Sequence, residues 1–162
     1  MEARHTTRWP VRAFSLVELL LVVVIMGILA AMVVPQFAGA TTDARTSATE
    51  ATLAGVRSSI AAYRSRAIIE GRPPYPTIAQ LLDGETVLSN GLPSNPITGA
   101  SGAQSVSEAS ARSRAVSQPG VYGWNYFVDN DADPPVAIFY SNCDEATTAT
   151  DGVGATLAAN EL

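Results

Sequence analysis

The sequence predicts an α+β fold: one long N-terminal α-helix, membrane-embedded over its first half, packed against a small antiparallel β-sheet. Three observations carry this prediction. Phe14 to Val34 is a run of 21 residues with a single charge, Glu18. Leu53, Val56, Ile60, Tyr63 and Ala67 recur at the alternating three- and four-residue steps of one helix face. Val121–Val128 and Val136–Tyr140 are apolar, aromatic and β-branched runs separated by an Asp- and Pro-rich turn, the pattern of an antiparallel hairpin.

Residues 1–13 carry Arg4, Arg8 and Arg12 against Glu2. They are too few to fold and read as a targeting leader. The arginine excess before the apolar run predicts insertion with the N-terminus inside and the C-terminus outside. Residues 14–35 form the membrane segment. At about 1.5 Å per residue the 21 apolar-run positions cover roughly 31 Å, enough to cross the hydrocarbon core. Glu18 is costly there, since insertion scales put an acidic residue at about 2.5–3.5 kcal/mol at the helix centre and less towards its end. An ionisable group in such a span is a functional candidate whose partner must be found. Pro35 lacks a backbone donor and clashes with the preceding turn, so a helix bend is expected at that residue.

Residues 36–70 read as the amphipathic continuation of the same helix, its stripe facing a globular part. Glu70-Gly71-Arg72-Pro73-Pro74 stops it, with Gly as the C-cap and prolines beyond. Residues 71–143 then form the globular part. Thr77 caps a short helix, Ile78 to Leu82, that ends at Asp83-Gly84. Leu92 to Gly99 is turn chemistry, and Ala100 to Pro119 reads as a mobile Ser/Ala/Gly-rich loop with at most one helical turn. In the hairpin, Trp124 and Tyr126, with Tyr122, share one face by strand alternation and are expected to pack on the Leu53–Ala67 stripe. Residues 144–162, rich in Ala, Thr and Gly, read as a loosely held tail.

Arg12-Ala13-Phe14-Ser15-Leu16-Val17-Glu18-Leu19-Leu20, the following apolar run and Pro35 together resemble the processing motif of type IV pilins and type II secretion pseudopilins. The resemblance implies a pilin-like fold and a structural role. It implies cleavage between Ala13 and Phe14 by a prepilin peptidase, and N-methylation of Phe14. It further implies residence in the bacterial inner membrane as a single-pass protein, followed by polymerisation into a periplasmic or extracellular filament. Glu18 falls at the family's assembly position, where it would neutralise the Phe14 amine of a neighbouring subunit, and Pro35 falls at its helix-bending proline. The partners implied are further copies of the chain, the peptidase, and an inner-membrane assembly platform with its ATPase. One position departs from the pattern: the residue before the cut is usually Gly, and here it is Ala13, the next smallest side chain.

Composition narrows the function classes. Removal of the leader leaves 149 residues with 7 Arg, no Lys and 14 acidic groups. A broad nucleic-acid surface, which needs dense positive charge, is not expected. His5, the one histidine, lies in the leader, so catalysis through a His base and zinc binding through imidazole are excluded for the processed chain. No nucleophile–base cluster is visible, and the chain is not read as an enzyme. Cys143 is the one cysteine, which excludes an intrachain disulfide and favours a pseudopilin or a small pilin. The competing reading is a secreted soluble binding domain, released by signal peptidase after Ala38-Gly39-Ala40; against it, the apolar run far exceeds a signal h-region and contains a carboxylate. Asp129, Asp131 and Asp133 begin a calcium-loop pattern, but Pro134 and Tyr140 stand where an EF-hand needs Gly and Glu. They remain candidate ligands of a looser calcium site, as in pseudopilins that hold calcium near the sheet. The alternative is a solvated hairpin turn.

Overall fold

A computed structural model describes residues 14–162, the side chains at 35, 36 and 38 excepted. Helix α1 spans Leu16–Ile69, followed by α2 (Ile78–Leu82), β1 (Ala103–Ser105), α3 (Glu108–Arg112), β2 (Trp124–Asp129), β3 (Val136–Ser141), β4 (Ala146–Thr150) and β5 (Thr156–Ala158). The leader and Ala13 lie outside the described residues. The α+β layout is as predicted. The chain divides after Gly39 into two compact units.

In the first unit, Leu19 N–H closes the opening helical turn on Ser15 O at 3.2 Å. Every residue from Phe14 to Val34 is exposed. The helix continues through Pro35, the expected bend position, whose side chain lies outside the described residues.

The second unit is organised by the C-terminal half of α1. Leu53, Val56, Ile60, Tyr63 and Ala67 are all buried. The stripe reaches further back than the apolar pattern indicates, because Thr46 and Thr49 continue the same spacing and are buried too. Thr49 Oγ1 donates to Arg45 O at 2.8 Å, and Thr46 Oγ1 accepts from Thr148 N at 3.2 Å. Small hydroxyl side chains thus satisfy backbone groups where the helix meets β4. The helix ends in a Schellman arrangement: Gly71 has φ +67°, Arg72 N–H bonds Ala67 O at 2.8 Å, and Gly71 N–H bonds Ile68 O at 3.3 Å. Helix α2 starts on the expected cap, a capping box between Thr77 and Gln80.

Trp124, Tyr126 and Phe139 pack on Leu53, Val56, Ile60, Leu81 and Ala103 to form the core. The Trp124 and Phe139 rings stack with centroids 5.3 Å apart. The polar ends of the buried aromatics anchor connecting segments: Trp124 Nε1 donates to Pro93 O at 2.7 Å and Tyr126 Oη to Pro76 O at 2.8 Å. Tyr122 does not join them; it precedes the strand and is half-buried.

Strands β2 and β3 pair antiparallel, from Trp124↔Ser141 to Asp129↔Val136. Two expectations fail elsewhere. The segment 100–119 holds its expected helical turn, α3, but also β1, which pairs with β2 in parallel, Ala103↔Trp124 to Ser105↔Tyr126. A parallel neighbour needs a crossover, and α3 with its flanking turns supplies it. Gly123 permits the entry to β2, since a Cβ there would lie 2.3 Å from Ala100 O. The tail reading of 144–162 also fails: β4 and β5 form an antiparallel pair. Ala159 and Thr147 are buried, and Arg57 Nη1 on α1 donates to Leu162 O at 3.0 Å. Backbone and threonine hydrogen bonds hold this segment, and Leu162 packs against the core.

Candidate functional site

The first candidate is the beginning of α1. Phe14 precedes the helix and is 76% exposed, and Glu18 lies in the first turn. Glu18 follows Phe14 by four residues, about one turn of an ideal helix. Around and beyond them, Leu16, Leu19, Leu20, Leu21 and the residues to Val34 present apolar side chains to the outside. A surface of this extent does not persist against water; it marks a membrane or a protein partner. Among the described residues, α1 is also the one helix long and apolar enough to cross a bilayer. The chemistry available here is binding: a lone carboxylate in apolar surroundings, and a helix surface that can be covered on all sides.

The second candidate is the turn between β2 and β3. Asp129 Oδ1 accepts from Asp131 N at 3.0 Å and Ala132 N at 3.1 Å, so this carboxylate caps its own turn. Asp131 and Asp133 are exposed. No group of three or more acidic, His or Cys side chains among the described residues is placed to hold a metal. The three aspartates therefore do not fit a calcium ion as they stand. Asn130 has a different role: it accepts from Tyr75 N and donates to Tyr75 O, both at 2.9 Å, fixing the turn to the segment after α1.

An asparagine network, which the pattern of the sequence does not reveal, lies at the sheet. Asn95, Asn125 and Asn142 are fully buried. Asn142 Nδ2 donates to Ser117 O (2.7 Å) and Tyr122 O (2.9 Å), while its Oδ1 accepts from Ser117 N (2.9 Å) and Asn125 Nδ2 (3.0 Å). Asn95 Nδ2 donates to Gly123 O at 2.9 Å and Ser141 Oγ at 2.8 Å. The loops around the sheet are thereby fastened to β2 and β3. Cys143 is buried, and burial pushes its thiol pKa up, so it is a poor nucleophile. Burial likewise raises the Tyr126 hydroxyl, leaving it a neutral donor to Pro76 O.

Residues 10–34 match the family described as the prokaryotic N-terminal methylation motif, the prepilin-type signature of type IV pilins and pseudopilins. The matched stretch contains Ala13, Phe14 and Glu18, and ends one residue before Pro35. The motif and the single apolar N-terminal helix fit a membrane-anchored, pilin-like protein. No curated protein and no solved structure matches the chain.

Proposed function

We propose that this chain is a structural subunit of a pilus-like filament, a type II secretion pseudopilin or a type IV pilin. A prepilin peptidase removes residues 1–13 and the new Phe14 terminus is methylated. The subunit then waits in the inner membrane with its C-terminal unit outside, and an assembly platform driven by an ATPase polymerises it through its N-terminal helices. The observation that carries this reading is the coincidence, in one stretch, of the methylation motif with a helix surface exposed and apolar on every side. Membrane lipid covers that surface before assembly, and neighbouring helices cover it afterwards.

Glu18 gives the assembly its register. Cleavage creates a Phe14 amine in an apolar setting, and Glu18 of one subunit neutralises the amine of the next. Charges removed from water attract strongly only when correctly paired, so a misregistered neighbour is disfavoured. Pro35 bends the helix at the end of the buried segment. The lone cysteine favours a pseudopilin or small pilin, and the neighbouring genes distinguish these systems: a secretion ATPase and secretin, or a retraction ATPase.

Intact mass of the protein from native membranes tests the reading. The expected species begins at Phe14 and carries one additional methyl group. A species beginning at Thr41 overturns it in favour of a soluble secreted domain.

A further inference from the structure

Three of the arginines, Arg57, Arg64 and Arg114, line one open groove of about 340 Å³ together with Tyr75, Ile138 and Phe139. Each guanidinium is held in place by groups of this chain, and Arg57 Nη1 is already engaged by Leu162 O at 3.0 Å. Arg57 donates from Nε and Nη2 to Phe139 O at 3.3 and 3.1 Å. Arg114 donates to Asn160 O at 3.2 Å and lies 5.6 Å from the Tyr140 ring centroid. Arg64 lies 5.1 Å from that of Tyr75. The ion pairs among the described residues are elsewhere, Arg72–Glu70 and Arg112–Glu108. Glu50 and Glu161 flank Arg57 in an adjoining groove without reaching ion-pair distance, and the Glu161 carboxylate accepts from Ala158 N. Burial and the charge of Arg114 lower the Arg57 pKa. In a chain with more acidic than basic groups, this is a local concentration of positive charge, with Arg64 and Arg114 outside the two side-chain ion pairs of the described residues.

The complementary group lies on the same chain but does not enter the groove. Asp131 and Asp133 are exposed, and neither forms an ion pair. Their turn is fixed through Asn130 to the backbone of Tyr75, itself a groove residue, so the chain's own aspartates are held beside the groove. We infer that the groove receives the Asp131 and Asp133 carboxylates of a second copy of this chain. Planar guanidinium groups suit carboxylates, and two carboxylates on alternate turn positions can meet more than one of them. This contact rests on the filament reading only for the supply of neighbouring copies, and it is separate from the Glu18–Phe14 pair.

The test uses the full chain in its native cells. Arg64→Glu and Asp131→Arg are introduced singly and together, with filaments sheared from the cells and the membrane-held subunit quantified alongside. Each single reversal should reduce filaments about tenfold or more at unchanged membrane level, and the double reversal should restore most of the loss. Where a reversal lowers the membrane level, Arg64→Gln and Asp131→Asn replace it and should give the same direction. A second measurement does not depend on filaments: differently tagged copies carrying Arg64→Cys and Asp131→Cys should form a mixed disulfide in isolated membranes, because Cys143 is buried. Wild-type filament levels in both single reversals, combined with no mixed disulfide, would overturn the contact. A disulfide from Arg64→Cys to a different protein would overturn the choice of a second copy. Absence of filaments from wild-type cells would refute the filament reading, while the mixed disulfide would still decide the contact.

Discussion

The two halves of α1 solve opposite problems with the same backbone. From Phe14 to Val34 the side chains are apolar around the whole circumference and all are exposed. From Thr46 to Ala67 one stripe is buried, and exposed positions such as Glu50, Arg64 and Arg66 separate its members. A helix apolar all round needs an apolar surrounding, whereas a one-sided helix supplies its own through a docked domain. The second half therefore draws its stability from contacts within this chain, and the first depends on apolar surroundings that its own unit does not supply.

The comparison breaks first at the core. Trp124→Ala removes a fully buried ring stacked on Phe139 and should lower the stability of the C-terminal unit by about 3–5 kcal/mol. Leu20→Ala should change it by less than about 0.5 kcal/mol, because Leu20 is exposed and belongs to the other unit. Calorimetry of the full chain in detergent reads both; equal losses would mean that the two halves are not energetically distinct.

Glu18→Ala reverses the contrast. Calorimetry should show the C-terminal unit unchanged and membrane insertion intact, while filament yield falls by about a hundredfold, the equivalent of leaving one partner of a buried charge pair alone at roughly 3 kcal/mol. Filaments at wild-type abundance would remove Glu18 from assembly.

A smaller effect is expected within the C-terminal unit. Asn142→Ala leaves Ser117 N–H without its partner and the buried Asn125 Nδ2 with only Ala115 O at 3.3 Å, and should cost about 1–3 kcal/mol. Asn142→Asp, which keeps the acceptor but loses the donors to Ser117 O and Tyr122 O, separates the two halves of the network. If both variants melt as wild type does, the network is not holding the loops.

What the sequence reveals follows from how regular each signal is. The α1 stripe, the cap at Thr77 and the β2–β3 hairpin rest on spacing or on one residue's local chemistry, and all three are legible. The buried Thr46 and Thr49 extend the stripe but carry no apolar signal. Ala103-Gln104-Ser105 is too short and too weakly β-forming to announce itself, and its pairing with β2 depends on a crossover no local pattern encodes. β4 and β5 are Thr- and Ala-rich, so composition suggests a tail where backbone pairing makes a hairpin. At the candidate sites, Phe14 and Glu18 were legible because they lie in one contiguous motif. The arginine groove was not, because Arg57, Arg64 and Arg114 lie on α1 and a distant loop.

The acidic turn gives the smallest expected effect. Asp129 already caps the turn through two backbone N–H groups, and among the described residues no three acidic, His or Cys side chains are placed to hold a metal. A ligand that binds only the folded state would add RT ln(1 + [L]/Kd), about 2.7 kcal/mol at a hundredfold excess over Kd. For the full chain in detergent at matched ionic strength, millimolar calcium and chelator should therefore give the same melting midpoint. Neutralising the turn with Asp131→Asn should also leave it within about 0.5 kcal/mol, as for other exposed substitutions. A midpoint several degrees higher in calcium, abolished by Asp131→Asn, would instead show that the turn rearranges to bind the ion. It would also give the carboxylates a partner that competes with the arginine groove.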